Sequence, residues 1–496
     1  MSDVIFTRIY HSLEEEFGHL SKFGCIEIQN GICWLAAVTR KHGYDTEIID
    51  ALPMKLDNES LAGMIAGKGA RFVGISACTM DIHRTSDLAA RLKKIKPDIT
   101  VIVGGPHITA VPEETMRLFP SIDIGVIGEG EETIIELLDA LSLRVRKALS
   151  EVAGVIYRKG GVTVQTKPRA FIKDLDELPL PAWDLLPDLR KFYFAPAWTM
   201  HSGNTTTLIT SRGCPFQCVY CDRKVFGNTV RYHSAEYVIE MLKTLYHKHG
   251  IRHFRIGDDN FIIKKDRLYR ICDLIKKEGL DISWSCLARA DCIEPEVLSK
   301  MKEAGCWSIA YGVETGSQEI HDIEKKSIKL DEIARAVDLT KRAGIRTISF
   351  NIIGHPLETI ETIKKTIDFN KRIRVDEFKT QFMTPFPGTE LYQNAEKYGA
   401  LDKDWSKMAV FRDPIFIPYG LTKEDMIAWN KKGFMSFYMQ PRIILGYIRN
   451  IRSFGELRVM ISGGLTIITW ELMKLFNIRP RKRPASADKV TPPAAR

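Results

Sequence analysis

The run Ser211-Arg212-Gly213-Cys214-Pro215-Phe216-Gln217-Cys218-Val219-Tyr220-Cys221 decides how the rest of this chain is read. Three cysteines crowd into a stretch whose glycine and proline mark it as a loop, directly after the strand-like run Thr207–Thr210. Three thiolates can hold three irons of a four-iron cluster, which leaves the fourth iron open to a small molecule. A structural zinc ion asks for four protein ligands. No fourth cysteine stands near, and His233 lies in the ordinary lead-in to a helix. The candidate metal-ligating and catalytic residues are therefore Cys214, Cys218 and Cys221.

Outward from the triplet the chain alternates. Strand patterns at His253–Ile256, Ile282–Cys286, Trp307–Tyr311, Thr347–Ile353 and Glu377–Phe382 are separated by helical patterns. The helices are Ala235–Lys248, Lys265–Glu278, Pro295–Ala304, Leu330–Ala343 and Ile360–Asn370. With Thr207–Thr210 this makes six βα units, short of the eight of a closed barrel, so residues 199–420 are expected to form an open, partial barrel. Tyr311, His355 and Glu390 fall at strand ends and are candidates for a general base.

Residues 1–145 alternate in the same way, with strands at Val4–Tyr10, Thr46–Asp50, Phe72–Ala77, Thr100–Gly104 and Ile124–Ile127. This predicts a doubly wound parallel sheet, an α/β domain whose ligand binds outside the carboxyl ends of the strands. The turns there are Ser76-Ala77-Cys78-Thr79, Gly104-Gly105-Pro106-His107 and Gly128-Glu129-Gly130-Glu131. A hairpin and a proline-rich run, Leu178-Pro179-Leu180-Pro181, read as a linker over 146–198. Residues 421–496 read as a helical region ending in the basic tail Arg479-Pro480-Arg481-Lys482-Arg483.

The bulk numbers narrow the class. Hydrophobic residues make up 45% and charged residues 27% of 496, which fits globular protein and not disorder. The excess of 71 basic over 62 acidic residues is mild for this length and points to no nucleic-acid partner. No signal-peptide pattern opens the chain, so a cytoplasmic location is expected, where clustered cysteines mean metal or redox chemistry. The apolar stretch Val459–Trp470 is too short to span a bilayer. Arg442, Arg449, Arg452 and Arg458 interleave with Ile444, Leu445, Ile448, Ile451 and Leu457, a pattern that caps a barrel or lies on a membrane surface.

C-x3-C-x2-C with an aromatic before the last cysteine resembles the signature of the radical S-adenosylmethionine superfamily. The resemblance implies a 4Fe-4S cluster and S-adenosylmethionine at the barrel mouth, with Tyr220 beside them. It implies contacts to the methionyl ammonium at Gly257, Asp258 and Asp259, and to the methionyl carboxylate at Arg289. Glu314, Asn351 and Ile353 would meet the ribose and adenine. The domain before the barrel is similar to the cobalamin-binding module of one large subfamily, with Ser76, Thr79, Gly104, Gly105, Gly128 and Glu129 as cofactor contacts. One departure stands out: the D-x-H-x-x-G motif of cobalamin mutases is missing, and Tyr10-His11-Ser12 and Gly18-His19 occupy its region. A second cluster on Cys25, Cys33 and Cys78, as in tRNA methylthiotransferases, is the competing reading.

The resemblance implies a cobalamin-dependent radical methyltransferase acting on an unactivated carbon of a small or lipid-like molecule. An external flavodoxin- or ferredoxin-type electron donor goes with it; the amphipathic C-terminal pattern, apart from the resemblance, admits peripheral membrane contact as the alternative to capping the barrel. The alternatives are an oxidative cyclase of the tetrapyrrole type and a cobalamin-holding protein without catalysis.

Overall fold

The computed structural model describes residues 2–18, 21, 24–195 and 205–450, the last four without their side chains. His19, Val459–Trp470, Ile451, Arg452, Leu457, Arg458 and the basic tail lie outside the described residues. The chain divides into a large unit, Met1–Met435, and a second unit, Ser436–Arg496. Within the second, Pro441–Asn450 is a helix on which Ile444 and Leu445 are exposed.

The large unit holds two parallel sheets. The first contains β1 (Val4–Arg8), β2 (Thr46–Asp50), β3 (Phe72–Ser76), β4 (Thr100–Gly104), β5 (Ile124–Val126), β6 (Val155–Lys159) and β7 (Val162–Gln165). Their spatial order is β2-β1-β3-β4-β5-β6-β7, parallel as far as β5. Near-continuous apolar strands such as Val4–Phe6 and Val101–Val103 are what a sheet covered by helices on both faces requires. The hairpin β6–β7 pairs antiparallel with β5, so the sheet runs to Gln165 and does not stop at residue 145. Covering an otherwise bare edge is the physical reason.

The second sheet consists of β8 (Thr205–Leu208), β11 (His253–Ile256), β12 (Ser283–Ala288), β13 (Cys306–Glu314), β14 (Arg346–Ile353) and β15 (Glu377–Phe382). Their order is β15-β14-β13-β12-β11-β8, all parallel, and it forms the partial barrel expected from six βα units. A two-residue ladder of β9 (Ser211–Arg212) and β10 (Arg231–Tyr232) closes the base of the cysteine loop. Side chains on the outer face reach the helices: Trp284 Nε1 donates to the Ala304 carbonyl at 2.8 Å, and Tyr311 bonds Thr340 at 2.6 Å.

After the barrel the chain turns back over the first domain. Trp405, Met408 and Ile415 join the same apolar core as Val73, Leu88 and Val103. Trp405 packs edge-on to His107 with ring centres 4.5 Å apart. A short ladder of β16 (Gly399–Leu401) and β17 (Phe416–Pro418) frames this return.

Candidate functional site

The cysteine loop is held at both ends. Asp258, fully buried after β11, accepts from the Thr210 amide at 2.5 Å, the Thr210 hydroxyl at 2.6 Å and the Ser211 hydroxyl at 2.7 Å. Gly213 has φ +89°, and a Cβ there would lie 2.4 Å from the Thr229 carbonyl, so only glycine fits. The Val219 amide donates to the Glu324 carbonyl at 3.1 Å, and the Leu391 amide donates to the Val219 carbonyl at 2.9 Å.

Cys214 and Cys218 are half-buried and Cys221 is exposed. Desolvation of the sulfur within the loop, although the residue as a whole is exposed, pushes the Cys221 thiol up to about 12, with the Asp259 carboxylate adding to it; Cys214 is raised by desolvation first, against the Phe216 amide, which lowers it, and with a smaller push from Asp259. Thiols this reluctant to ionise give up their proton when metal replaces it. Among the described residues no group of His, Cys, Asp and Glu converges as the ligands of a single ion would. His233 does not supply a fourth ligand. It lies stacked 4.1 Å from Tyr237 and 5.6 Å from Trp34, and burial holds it neutral, down to about 4.

Around the loop the expected residues divide. Asp259 lies beside the cysteines, and partial desolvation of its carboxyl together with the Asp258 charge pushes it up. Gly257 lies against β8, where a Cβ would come 3.0 Å from Thr207. The Arg289 guanidinium stacks on Phe216 of the cysteine loop at 3.5 Å and pairs with Asp291 at 2.9 Å. Glu314 ends β13 with its carboxylate 2.5 Å from Lys326, whose ammonium is 3.4 Å from the Tyr220 hydroxyl. Asn351 is turned the other way. It donates to the Ser349 hydroxyl at 2.9 Å and accepts from Asn370, on the outer helix Ile360–Arg372, at 2.8 Å. Its amide is therefore not presented to the barrel mouth, and Ile353, two residues on, shares its face by strand alternation.

In the first domain the strand order reverses between β1 and β3, which makes the crevice at their carboxyl ends the natural ligand site. Ser76 accepts from Gln29 at 2.8 Å, and Thr79 stands 3.3 Å from His107. Gly104 ends β4, and Gly105, with φ +102°, would bring a Cβ 2.9 Å from the Ala77 carbonyl. Nothing lies within 4 Å of the Cβ position of Gly128, which leaves room for a large group over that turn. His11 sits at the same edge, 3.2 Å from Asp81 and 3.0 Å from Glu16. Burial would push the imidazole down, but the two carboxylates outweigh it and hold His11 up at about 9. Both ring nitrogens of His11 thus face carboxylates, Nδ1 that of Asp81 and Nε2 that of Glu16. Cys33 is buried inside the helix Asn30–Lys41, which removes it from a second cluster with Cys25 and Cys78.

Glu129 has a different use from the one expected. Its carboxylate takes Arg212 at 2.9 Å, Arg231 at 2.8 Å and the Ile172 amide at 2.9 Å, while Arg212 also holds Glu131 at 2.6 Å. All four charged side chains are at most a tenth exposed. Lys224 donates to the Ala110 carbonyl at 3.2 Å, and Glu27 bridges Arg255 at 2.6 Å and the Thr207 hydroxyl at 2.8 Å. These contacts bring the ligand edge of the first sheet against the cysteine loop. Sequence reasoning passed over Arg212, Arg231 and Glu131, although Arg212 stands two residues before Cys214.

Comparison with known proteins agrees with this geometry. Residues 208–369 match the radical SAM superfamily and residues 20–138 the B12 binding domain. An uncharacterized methyltransferase of Pyrococcus horikoshii is 36% identical over 418 residues, covering 84% of this chain and 88% of that one. The chain belongs to the cobalamin-binding radical SAM family. The anaerobic magnesium-protoporphyrin IX monomethyl ester cyclase of Rubrivivax gelatinosus is 26% identical, over 83% of this chain and 74% of its own. Among solved structures, the cobalamin-dependent S-adenosylmethionine radical enzyme OxsB superposes with a TM-score of 0.72 at 17% identity, covering 97% of this chain and 74% of that one. The radical S-adenosylmethionine methyltransferase TsrM of Kitasatospora setae does so with 0.64 at 15% identity, covering 80% and 75%. As a cobalamin-binding radical SAM enzyme the chain uses a 4Fe-4S cluster, S-adenosylmethionine and cobalamin, and the three free cysteines on one loop fit the cluster.

Proposed function

We propose that this enzyme methylates an unactivated carbon of a small polar metabolite. The observation that carries the reading is the buried clamp of Glu129, Glu131, Arg212 and Arg231, which sets the ligand edge of the first sheet against the cysteine loop. By family likeness, the cluster with S-adenosylmethionine supplies a hydrogen-abstracting radical and cobalamin supplies the methyl group. The protein's own part is to present both to one substrate position and to exclude water from it. Cys214, Cys218 and Cys221 would bind iron, Asp259 would offer a carboxylate to the methionyl ammonium, Arg289 would meet the methionyl carboxylate, and Glu314 would flank the nucleoside. The turns at Ser76, Thr79, Gly104, Gly105 and Gly128 would take the nucleotide tail of the cobalamin.

The polarity of the substrate follows from the inner face of the barrel. Thr207, Arg255, Ser285, Ser308 and Arg346 form one register row across five strands. Glu377 and Lys379 lie beyond it on β15, with Arg346 to Glu377 at 2.9 Å and Lys379 to Glu377 at 3.1 Å. Hydroxyls of Thr207, Ser285 and Ser308 together with the paired charges Arg255–Glu27 and Arg346–Glu377–Lys379 make this face polar, which suits a polar substrate better than a hydrocarbon one. A one-electron donor of the flavodoxin or ferredoxin class reduces the cluster. Among the described residues no helix is long and apolar enough to cross a membrane. Peripheral contact through the helix Pro441–Asn450 would show as co-sedimentation with anionic vesicles.

The test is anaerobic reconstitution with S-adenosylmethionine carrying a deuterated methyl group, incubated with polar and lipid extracts of the source cells. Release of 5′-deoxyadenosine and a labelled product in the polar fraction is expected. Label only in the lipid fraction refutes the substrate class, and an oxidised, unlabelled product indicates cyclase chemistry.

A further inference from the structure

Behind the cysteine loop lies a charged group that the proposed chemistry does not use. Glu324, His355 and Glu358 are 0%, 0% and 1% exposed. Glu324 holds His355 Nδ1 in a short ion pair, and His355 Nε2 faces the Glu314 carbonyl at 3.3 Å. Glu358 accepts from the amides of Gly354 and His355, the latter at 3.2 Å. Burial would push the imidazole down, but the Glu324 charge outweighs it and holds His355 up at about 9. One oxygen of Glu324 and one of Glu358 have no hydrogen-bond partner among the described residues. Two acidic side chains and an imidazolium in a dry interior, with burial pushing Glu358 up to about 7, are a poor way to stabilise a fold, since apolar side chains of similar size would do as well.

The surroundings show what the group holds. The Glu324 carbonyl accepts from the amide of Val219, which lies between Cys218 and Tyr220. Two residues on, Lys326 reaches Tyr220 at 3.4 Å and Glu314 at 2.5 Å, and Lys325 pairs with Glu390 at 2.7 Å. The backbone there is left-handed at three non-glycine residues, Glu314, Lys325 and Ser327, with φ of 59°, 54° and 52°. Such conformations persist only where the surroundings impose them. His355 is sealed off by its own partners, so it is no general base for substrate.

We propose that the Glu324–His355 pair is a positioning device for the second half of the cysteine loop. By pinning the backbone of Glu324 it fixes the carbonyl that holds Val219 and the lysine that meets Tyr220. The spacing of Cys218 and Cys221 is set through them. Neither residue touches the reacting atoms. The inference rests on the cluster assignment to Cys214, Cys218 and Cys221.

The test compares the full chain with His355→Gln and with the double variant Glu324→Gln/His355→Gln, each reconstituted anaerobically with iron and sulfide. Bound iron, the electron paramagnetic resonance spectrum of the dithionite-reduced cluster with and without S-adenosylmethionine, and cobalamin affinity by absorbance are measured. His355→Gln should lose at least half of its iron and alter the cluster line shape, with cobalamin affinity within twofold of the parent. The double variant should recover both properties, because two amides bond each other without a stranded carboxylate. Parent-like iron and spectra in His355→Gln overturn the proposal, as does a double variant no better than the single. A parent chain that binds no four-iron cluster defeats the assignment beneath it, and the proposal with it.

Discussion

Arg212 is the residue whose loss should do most to separate the two domains. Arg212→Met keeps the length and apolar stem of the side chain and removes the guanidinium that bridges Glu129 and Glu131. Arg231 still faces Glu129, but Glu131, 6% exposed, is left as a buried carboxylate with no cation. Removing one member of a buried ion pair costs about 3–5 kcal/mol. At roughly 1.4 kcal/mol per tenfold, that lowers the ratio of docked to undocked domains by about 10² to 10³ or more. The assay is limited proteolysis of the segment between Gln165 and Tyr193, followed over time in parent and variant. Opening should raise the cleavage rate by that factor where reclosing is fast relative to cutting. The double variant Arg212→Met/Glu131→Leu should regain most of the protection, because no lone charge remains. A single variant cleaved at the parent rate would refute the argument that this clamp holds the domains together.

Other outcomes follow from named residues. Cys218→Ala should abolish 5′-deoxyadenosine release while the absorbance of bound cobalamin is unchanged; retained cleavage would sink the cluster assignment. His11 titrates at about 9 in the fold against an ordinary 6.5, so its contribution to stability is complete below pH 6.5 and is lost as pH rises through 9. Denaturant midpoints measured from pH 6 to 10 should fall across that window, and His11→Gln should remove that part of the fall. Gly213→Ala should block cluster loading, since its Cβ would strike the Thr229 carbonyl. Gly161→Ala, at φ +80° with nothing within 4 Å, should cost only about 1 kcal/mol in a melting experiment and leave iron content intact.

The two sheets were legible because strand and helix periods alternate cleanly and because three cysteines on one loop admit few chemistries. The first barrel strand lies two residues earlier than its pattern suggested, since Thr205–Leu208 are buried by neighbours that no local window contains. The hairpin β6–β7 reads locally as a connector. Its role as a sheet edge depends on β5, some thirty residues before it. The site residues divide for a similar reason. Asp259 and Arg289 gather at the cysteine loop because strand ends are local features. Asn351 turns outward because alternation along β14 fixes its face, a parity that can be counted only once the strand register is known. Glu129 carried a sequence signal, a polar residue between glycines, but its two arginine partners are more than eighty residues away, on the other domain.

The return of Trp405, Met408 and Ile415 into the core of the first domain has a consequence for biosynthesis. Val73, Leu88 and Val103 leave the ribosome more than three hundred residues before Trp405, which completes their core. Until then the nascent first domain exposes part of its apolar core, a situation that invites chaperone binding. A fragment cut after the hairpin would stay in that state permanently. The chain therefore behaves as one folding unit, and its two halves should not be obtainable as separate soluble pieces.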